Sequence, residues 1–358
     1  MNIQKSFYIA LTLGVFSILI WEFYWRSQDR VPNLDDNKEL WAQQFKKIEK
    51  PKENQIVFIS SSRILFDVQR TVWEEKTGSE MVMLGVQGGS PLPVLKYIVE
   101  ETKFRGLLVV GVAPDVFFWA TEGDGFSWRR PKKLLDYYDD RTYAQMLNHK
   151  LSVPLQTTFA FYRDGDEEWS DDVDLKTLLK NMRTGERGGK LQSPFNNFET
   201  VQLNRNVEMS EKATHDTILA NSVIRAWGLD QWEKEVDDAE EYEKTLKDIE
   251  EKRRKILNYF ITYTEEYLKQ GGKMVLVRCP SNGKYRELEA RDFPRKQFWD
   301  SLVIKTKLPS IHFEDYPQLT GLHLPELSHL SKDDANFFTE ELIKILREKK
   351  VLTTSNNN

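Results

Sequence analysis

Residues 56–63 read IVFISSSR, and the fold turns on how this stretch is read. Its first seven positions carry no charge, and Ile56, Val57 and Ile59 are β-branched. A short apolar run of this kind is a strand buried on both faces of a parallel sheet. Its serines then stand at the carboxyl tip of the strand. In open α/β sheets, ligands and catalytic groups collect in the crevice beyond those tips. One of the three serines is therefore a candidate nucleophile; the competing reading is that they end the strand and cap the next helix.

Working outward, a helix through 64–76 is closed by Thr77-Gly78. A second apolar run at 81–86 breaks into Gln87-Gly88-Gly89-Ser90-Pro91, where Pro91 or Pro93 opens the next helix. A third run, 107–113, ends at Pro114-Asp115. Three apolar strands alternating with helices predict a parallel sheet built from βαβ crossovers. Beyond residue 119 the rhythm stops, and 119–231 reads as a largely helical and loop insertion without a strong β pattern. Trp128, Tyr137, Tyr138 and Trp169 in it are either sugar-site aromatics or local core. Regularity returns with a long charged helix closed by Gly271-Gly272, a strand at 273–278, a helix around Phe298 and Leu302, a strand at 310–314 and a final helix at 333–349. The expectation is a three-layer α/β/α, flavodoxin-like domain over 53–350 with strand order 2-1-3-4-5 and a frayed tail at 351–358.

The amino-terminal stretch 7–21 is apolar apart from Thr12 and Ser17, and Phe23, Tyr24 and Trp25 follow Glu22. That approaches the ~20 residues a bilayer helix needs, with an aromatic belt at one end. No small-x-small cleavage site follows, so 1–25 reads as a retained signal anchor. Lys5 on one side and Arg26 and Arg30 on the other leave its orientation open. A juxtamembrane linker at 26–52 carries Trp41, Phe45 and Ile48 at helical spacing. The 51 basic and 56 acidic residues are interleaved, so no basic face for nucleic acid stands out. A single cysteine, Cys279, excludes an internal disulfide and a cysteine-rich metal site.

Of five histidines, His329 stands out, on a loop before the last helix with Glu326 three residues upstream. This spacing lets an acid fix the tautomer of an imidazole whose other nitrogen faces a hydroxyl. The same segment also reads as a helix cap, with Ser331 ahead of Asp333 and Asp334.

A serine-ended first strand, a glycine turn after the second strand and an acid-x-x-His before the last helix together resemble the SGNH (GDSL-like) hydrolase superfamily. The likeness is to its membrane-anchored branch of DltD-like and alginate O-acetyltransferase-like proteins. The resemblance covers 56–115 and 273–345 and leaves out the insertion. It implies Ser62 as nucleophile followed by Arg63, His329 as base and Glu326 as the orienting acid. The backbone amides of Ser62 and Gly88 would be the oxyanion donors. No cofactor and no metal are expected. The resemblance also implies a single-pass protein of the bacterial inner membrane, with a cytoplasmic tip and its domain facing the periplasm, acting as an esterase or O-acyltransferase on envelope glycan, lipid or polymer. The chain departs from the pattern in three places. Ser60-Ser61 stand where the family has Gly-Asp, no asparagine follows the third strand, and Glu326 replaces an aspartate. Gln87, Arg278 and Asn282 are the candidates for the missing side-chain donor. The competing reading is a catalytically inactive scaffold of the same fold that binds a glycan or an envelope-assembly partner through the insertion.

Overall fold

The computed structural model describes residues 3–120, 122–123, 125–162, 197–229 and 239–352. Trp169 and the tail at 353–358 lie outside the described residues.

Helix α1 (Ile3–Ser27) has no buried residue and is long and apolar enough to cross a membrane. At ~1.5 Å per residue its 25 residues exceed the ~30 Å hydrocarbon thickness. Helix α2 (Lys38–Phe45) follows, capped by the Asn37 side chain, which accepts from the Leu40 amide. Trp41, Phe45 and Ile48 of this linker are fully buried in the domain core.

The apolar run at 56–60 forms β1 (Gln55–Ile59), with every residue buried. Its alternation feeds two cores, one on each face of the sheet: Val57 and Ile59 join the first, Ile56 and Phe58 the second. Both faces being covered explains why positions 56–59 of the strand are all apolar. After β1 come α3 (Ser62–Asp67), α4 (Arg70–Thr77), β2 (Glu80–Met83), α5 (Leu92–Glu101), β3 (Leu107–Gly111) and α6 (Pro114–Phe118). The insertion follows, with its own hairpin of β4 (Glu199–Val201) and β5 (Val207–Met209). Two strands from the carboxyl-terminal part of the chain, β6 (Lys273–Arg278) and β7 (Ser310–His312), then complete the sheet. The five-stranded sheet has the order β2-β1-β3-β6-β7 with every pairing parallel, which is 2-1-3-4-5 when its own strands are counted.

Two local expectations need correction. The helix at 64–76 is broken into α3 and α4, with Val68 extended at φ −113, ψ 110. The break arises because tertiary partners take the backbone donors: Gln69 N–H goes to Thr339 Oγ1 at 2.8 Å and Arg70 N–H to Asn206 Oδ1 at 2.7 Å. The second correction is the hairpin inside the insertion, whose three-residue strands are too short to show a period of two. The rest of the described insertion is helical. It contains α7 (Phe126–Asp140), α8 (Tyr143–Thr158), α9 (Glu211–His215) and α10 (Thr217–Ala226). Trp128 is buried and Tyr138 packs on the same core, while the Tyr137 hydroxyl donates to Glu39 at 3.2 Å, so these aromatics serve packing. The long charged helix is α11 (Ala239–Lys269); α12 (Gly283–Asp292), α13 (Ser301–Thr306) and α14 (Lys332–Glu348) close the chain.

Candidate active site

The loop 324–330 is held against the segments that leave the carboxyl ends of β1 and β6. Leu330 N–H donates to Asp67 Oδ1 at 2.9 Å, at the end of α3, and Asn282 N–H, just past β6, donates to Leu327 O at 2.9 Å. Leu327 takes a left-handed backbone at φ 74, uncommon for a branched side chain, and lies over Gly283. That reversal lets Glu326 reach His329. Glu326 Oε1 accepts from the His329 amide at 2.5 Å and lies 2.9 Å from Nδ1. Its other oxygen, Oε2, accepts from Trp227 Nε1 at 2.6 Å.

Both members of the pair are 1% exposed. The imidazole is boxed by rings: Phe66 at 4.7 Å, Phe198 at 5.8 Å and Trp227 at 5.9 Å between centroids. A carboxylate on Nδ1 selects the tautomer with a proton there and leaves Nε2 as the basic nitrogen. His329 Nε2 is buried and has no hydrogen-bond partner among the described residues.

Asp67 and Cys279 complete the environment. Burial pushes the Asp67 carboxyl up to about 7, against the pull of His329, the Leu330 amide and Arg63. The Cys279 thiol, its neighbour, is the remaining group that holds the carboxyl down. Burial likewise pushes the Cys279 thiol well up, and the neighbouring Asp67 adds to it. Beside this lies a buried ionic cluster. Glu289 Oε1 meets Arg63 at 2.6 Å, and Oε2 meets Arg278 at 2.5 Å and the Ser281 hydroxyl at 2.6 Å. Burial raises Glu289, but Arg278 and Arg63 outweigh it and hold the carboxylate below its ordinary value. Arg63 also stacks 4.9 Å over Tyr285, whose hydroxyl donates to Asp115 at 2.6 Å.

The structure thus brings Glu326 and His329 together, and places Ser62 apart from them in hydrogen-bonding terms. Ser62 opens α3 and Phe66, which touches His329, lies one turn further on the same helix face. The three serines do not cap α3 with their side chains: Ser61, in the capping position, makes no such bond, and the Ser60 hydroxyl donates to Ser61 O at 2.8 Å. The strand tip is tightly packed. A side chain at Gly85 or Gly111 would lie 2.7 Å from Ser60 Oγ or 2.6 Å from Ser60 Cβ.

Gly88 occupies a turn closed by Gly89 N–H to Val86 O at 2.8 Å and has φ +61, which glycine supplies at no steric cost. Gln87 donates to Glu199 Oε2 at 2.8 Å, and its carbonyl accepts from Arg130 at 2.8 Å. The Arg278 guanidinium is engaged with Glu289, Ser281 Oγ and Cys279 O. Asn282 caps α12, its side chain accepting from the Gly283 amide at 2.6 Å. Trp227, Asp67, Phe66 and Phe198 were not expected from the sequence. Asp67 alone left a trace there, as an acid in the otherwise apolar 64–68 segment. The predicted cap is present as well: the Ser331 hydroxyl accepts from the Asp334 amide at 3.5 Å.

Among the described residues, no three His, Cys, Asp or Glu side chains gather as a metal ion would require. The arrangement is a buried acid–imidazole pair whose second ring nitrogen has no partner among the described residues, a geometry in which an imidazole can accept a proton. No protein-family model matches this chain, and no curated protein matches it.

Proposed function

We propose that the chain is a membrane-anchored, SGNH-like serine esterase or O-acyltransferase, its domain facing the outside of a bacterial inner membrane. Its substrate would be an ester-bearing envelope glycan, lipid or polymer. The observation that carries this reading is the Glu326–His329 pair: one ring nitrogen held by a buried carboxylate, the other unpartnered, packed on the helix that Ser62 opens. A buried imidazole with an empty nitrogen costs stability unless a reacting group uses it.

In this mechanism His329 Nε2 takes the proton of the Ser62 hydroxyl as Oγ attacks the ester carbonyl. The tetrahedral oxyanion lies on the amides of Ser62 and Gly88. Its collapse expels the alcohol, which takes the proton back from His329, and leaves the acyl group on Ser62. Water or a sugar hydroxyl then attacks the acyl-serine, again with His329 as base, and regenerates Ser62. The step needs Ser62 Oγ within ~3 Å of Nε2.

A fluorophosphonate probe tests this. Labelling should be lost in Ser62→Ala and in His329→Ala and kept in Ser61→Ala. Folded wild-type protein that takes no label would count against the enzyme. A second reading, an inactive scaffold of the same fold binding a glycan or an assembly partner, has one observation in its favour. Two side chains suited to replace the missing oxyanion donor, Gln87 and Arg278, are held by Glu199 and Glu289.

A further inference from the structure

Helix α8 is built inside out. Tyr143, Leu147, Leu151 and Leu155 are 89%, 56%, 63% and 39% exposed, whereas His149, Ser152 and Gln156 are buried. At ~100° per residue, Tyr143, Pro154, Leu147, Leu151, Ala144 and Leu155 fall, with Thr158 of the last turn as the one polar member, on one arc of ~120°, the width of a core-facing stripe on an ordinary amphipathic helix. Here that stripe points outward. The inversion has a local cause, because the polar face is bound by the linker that follows α1. Gln156 Oε1 accepts from the Asp35 amide at 3.0 Å, and Asn37 Nδ2 lies 3.3 Å from His149 Nδ1.

The position of the stripe is fixed relative to α1. Glu22 Oε1 and Oε2 accept from the amides of Ala160 and Phe161 at 3.0 and 3.3 Å, and Arg26 donates to Thr158 O at 3.1 Å. Asp29 is pinned too: its carbonyl accepts from Asn197 at 3.2 Å and its carboxylate meets Lys212 at 3.0 Å. The carboxyl end of α8 is thus tied to the end of α1 that carries Trp21, Tyr24 and Trp25, the aromatics of a membrane interface.

We propose that the outward face of α8 is a membrane-binding surface, seated in the interfacial layer of the bilayer that α1 enters. This rests on α1 crossing that bilayer. An interfacial helix sinks its apolar face ~5–10 Å into the headgroup and acyl boundary, and the exposed Lys150 beside the stripe would then meet lipid phosphates. The same docking sets the candidate site near the lipid, since Phe198, a wall of the His329 box, adjoins Asn197, which holds Asp29.

The test uses the full-length chain in nanodiscs of phosphatidylcholine and phosphatidylglycerol, spin-labelled at one introduced cysteine at a time. The native Cys279 is 2% exposed and stays in place, with the unsubstituted protein as the labelling blank. Leu147→Cys and Leu151→Cys report on the stripe, Phe16→Cys on the anchor, and Ile304→Cys, at a position 72% exposed, on bulk water. Labels at 147 and 151 should collide with oxygen in preference to a water-soluble nickel chelate, with a ratio severalfold above that at 304. Nickel-accessible labels at 147 and 151, with the label at 16 still in the bilayer, would overturn the inference and leave the anchor standing. Shielding from both reagents, or spin–spin coupling between copies, would assign the stripe to protein contacts and also overturn it. An aqueous label at 16 would remove the anchor itself and the inference with it.

Discussion

The indole of Trp227 and the carboxylate of Glu326 are joined by a 2.6 Å hydrogen bond across 99 residues of chain. That bond satisfies the oxygen of Glu326 that does not face His329. The insertion therefore supplies a residue to the candidate site and is coupled to the orientation of His329. Trp227→Phe keeps the ring against His329 but removes the donor to a buried carboxylate. Such a bond to a charged group is worth ~1.5–3 kcal/mol. The variant should lose about that much stability by denaturant unfolding and label more slowly with a fluorophosphonate. Unchanged stability would mean that water readily replaces the indole.

Asp67 gives a pH dependence with a definite sign. Its carboxyl is raised by burial from an ordinary 3.8 to about 7. The folded state thus binds this proton more tightly than the unfolded chain, so its contribution to stability is complete below the ordinary value and is lost as pH rises through about 7. Glu289 runs the other way, because its two arginines depress it: its contribution is present above its ordinary 4.5 and is lost in acid. Thermal melts of the full chain in detergent should show stability falling between about pH 4 and 7, a slope that Asp67→Asn flattens. The substituted amide keeps an oxygen for the Leu330 N–H, so the variant should fold; an unaltered slope would assign the pH dependence to other groups.

The two carboxylates Glu289 and Glu314 separate buried from exposed ion pairing within one protein. Glu289 is 0% exposed between Arg63 and Arg278, whereas Glu314 and its partner Arg286 are 32% and 24% exposed. Removing the charge at Glu289 leaves two guanidinium groups buried beside each other without compensation. Glu289→Gln should cost about 3–5 kcal/mol, and Glu314→Gln no more than ~1 kcal/mol. Urea unfolding of both variants decides it, and equal effects would mean that water reaches the Glu289 cluster.

What could be read from the residues was whatever local pattern determines. The apolar runs at 56–59, 81–86, 107–113 and 274–277 correspond to strands because burial on both faces strips the middle of a strand of polar positions. The Glu326-x-x-His329 spacing announced a pair that the structure holds at 2.9 Å. What could not be read depends on partners far along the chain. The interruption after Asp67 comes from Thr339 and Asn206, with no glycine or proline at the break to mark it. The short strands of the hairpin at 199–209 carry too few residues for a period. The inside-out polarity of α8 was legible in principle, since Tyr143, Leu147, Leu151 and Leu155 recur every fourth residue. That pattern alone does not say which face is outside, because an apolar stripe ordinarily points to the core.

Arg205 ties three of these parts together and makes a sharp test of the geometry. It is 2% exposed, sits at φ 62 in the hairpin turn, and meets Asp36 through Nε at 2.6 Å and Nη2 at 2.8 Å. The same guanidinium donates to Met83 O at 2.9 Å and Gly85 O at 2.8 Å, at the carboxyl end of β2. One side chain thus joins the insertion, the linker after α1 and the strand that leads into the Gly88 turn. Arg205→Lys keeps the charge but not the planar fork, and a single ammonium cannot reach all four acceptors. Breaking a buried pair of this kind costs about 3 kcal/mol or more. The lysine variant should unfold at correspondingly lower denaturant and expose the junctions at 33–37 and 83–86 to faster amide hydrogen exchange. Faster exchange confined to the hairpin would show that the linker and strand are held in place without Arg205.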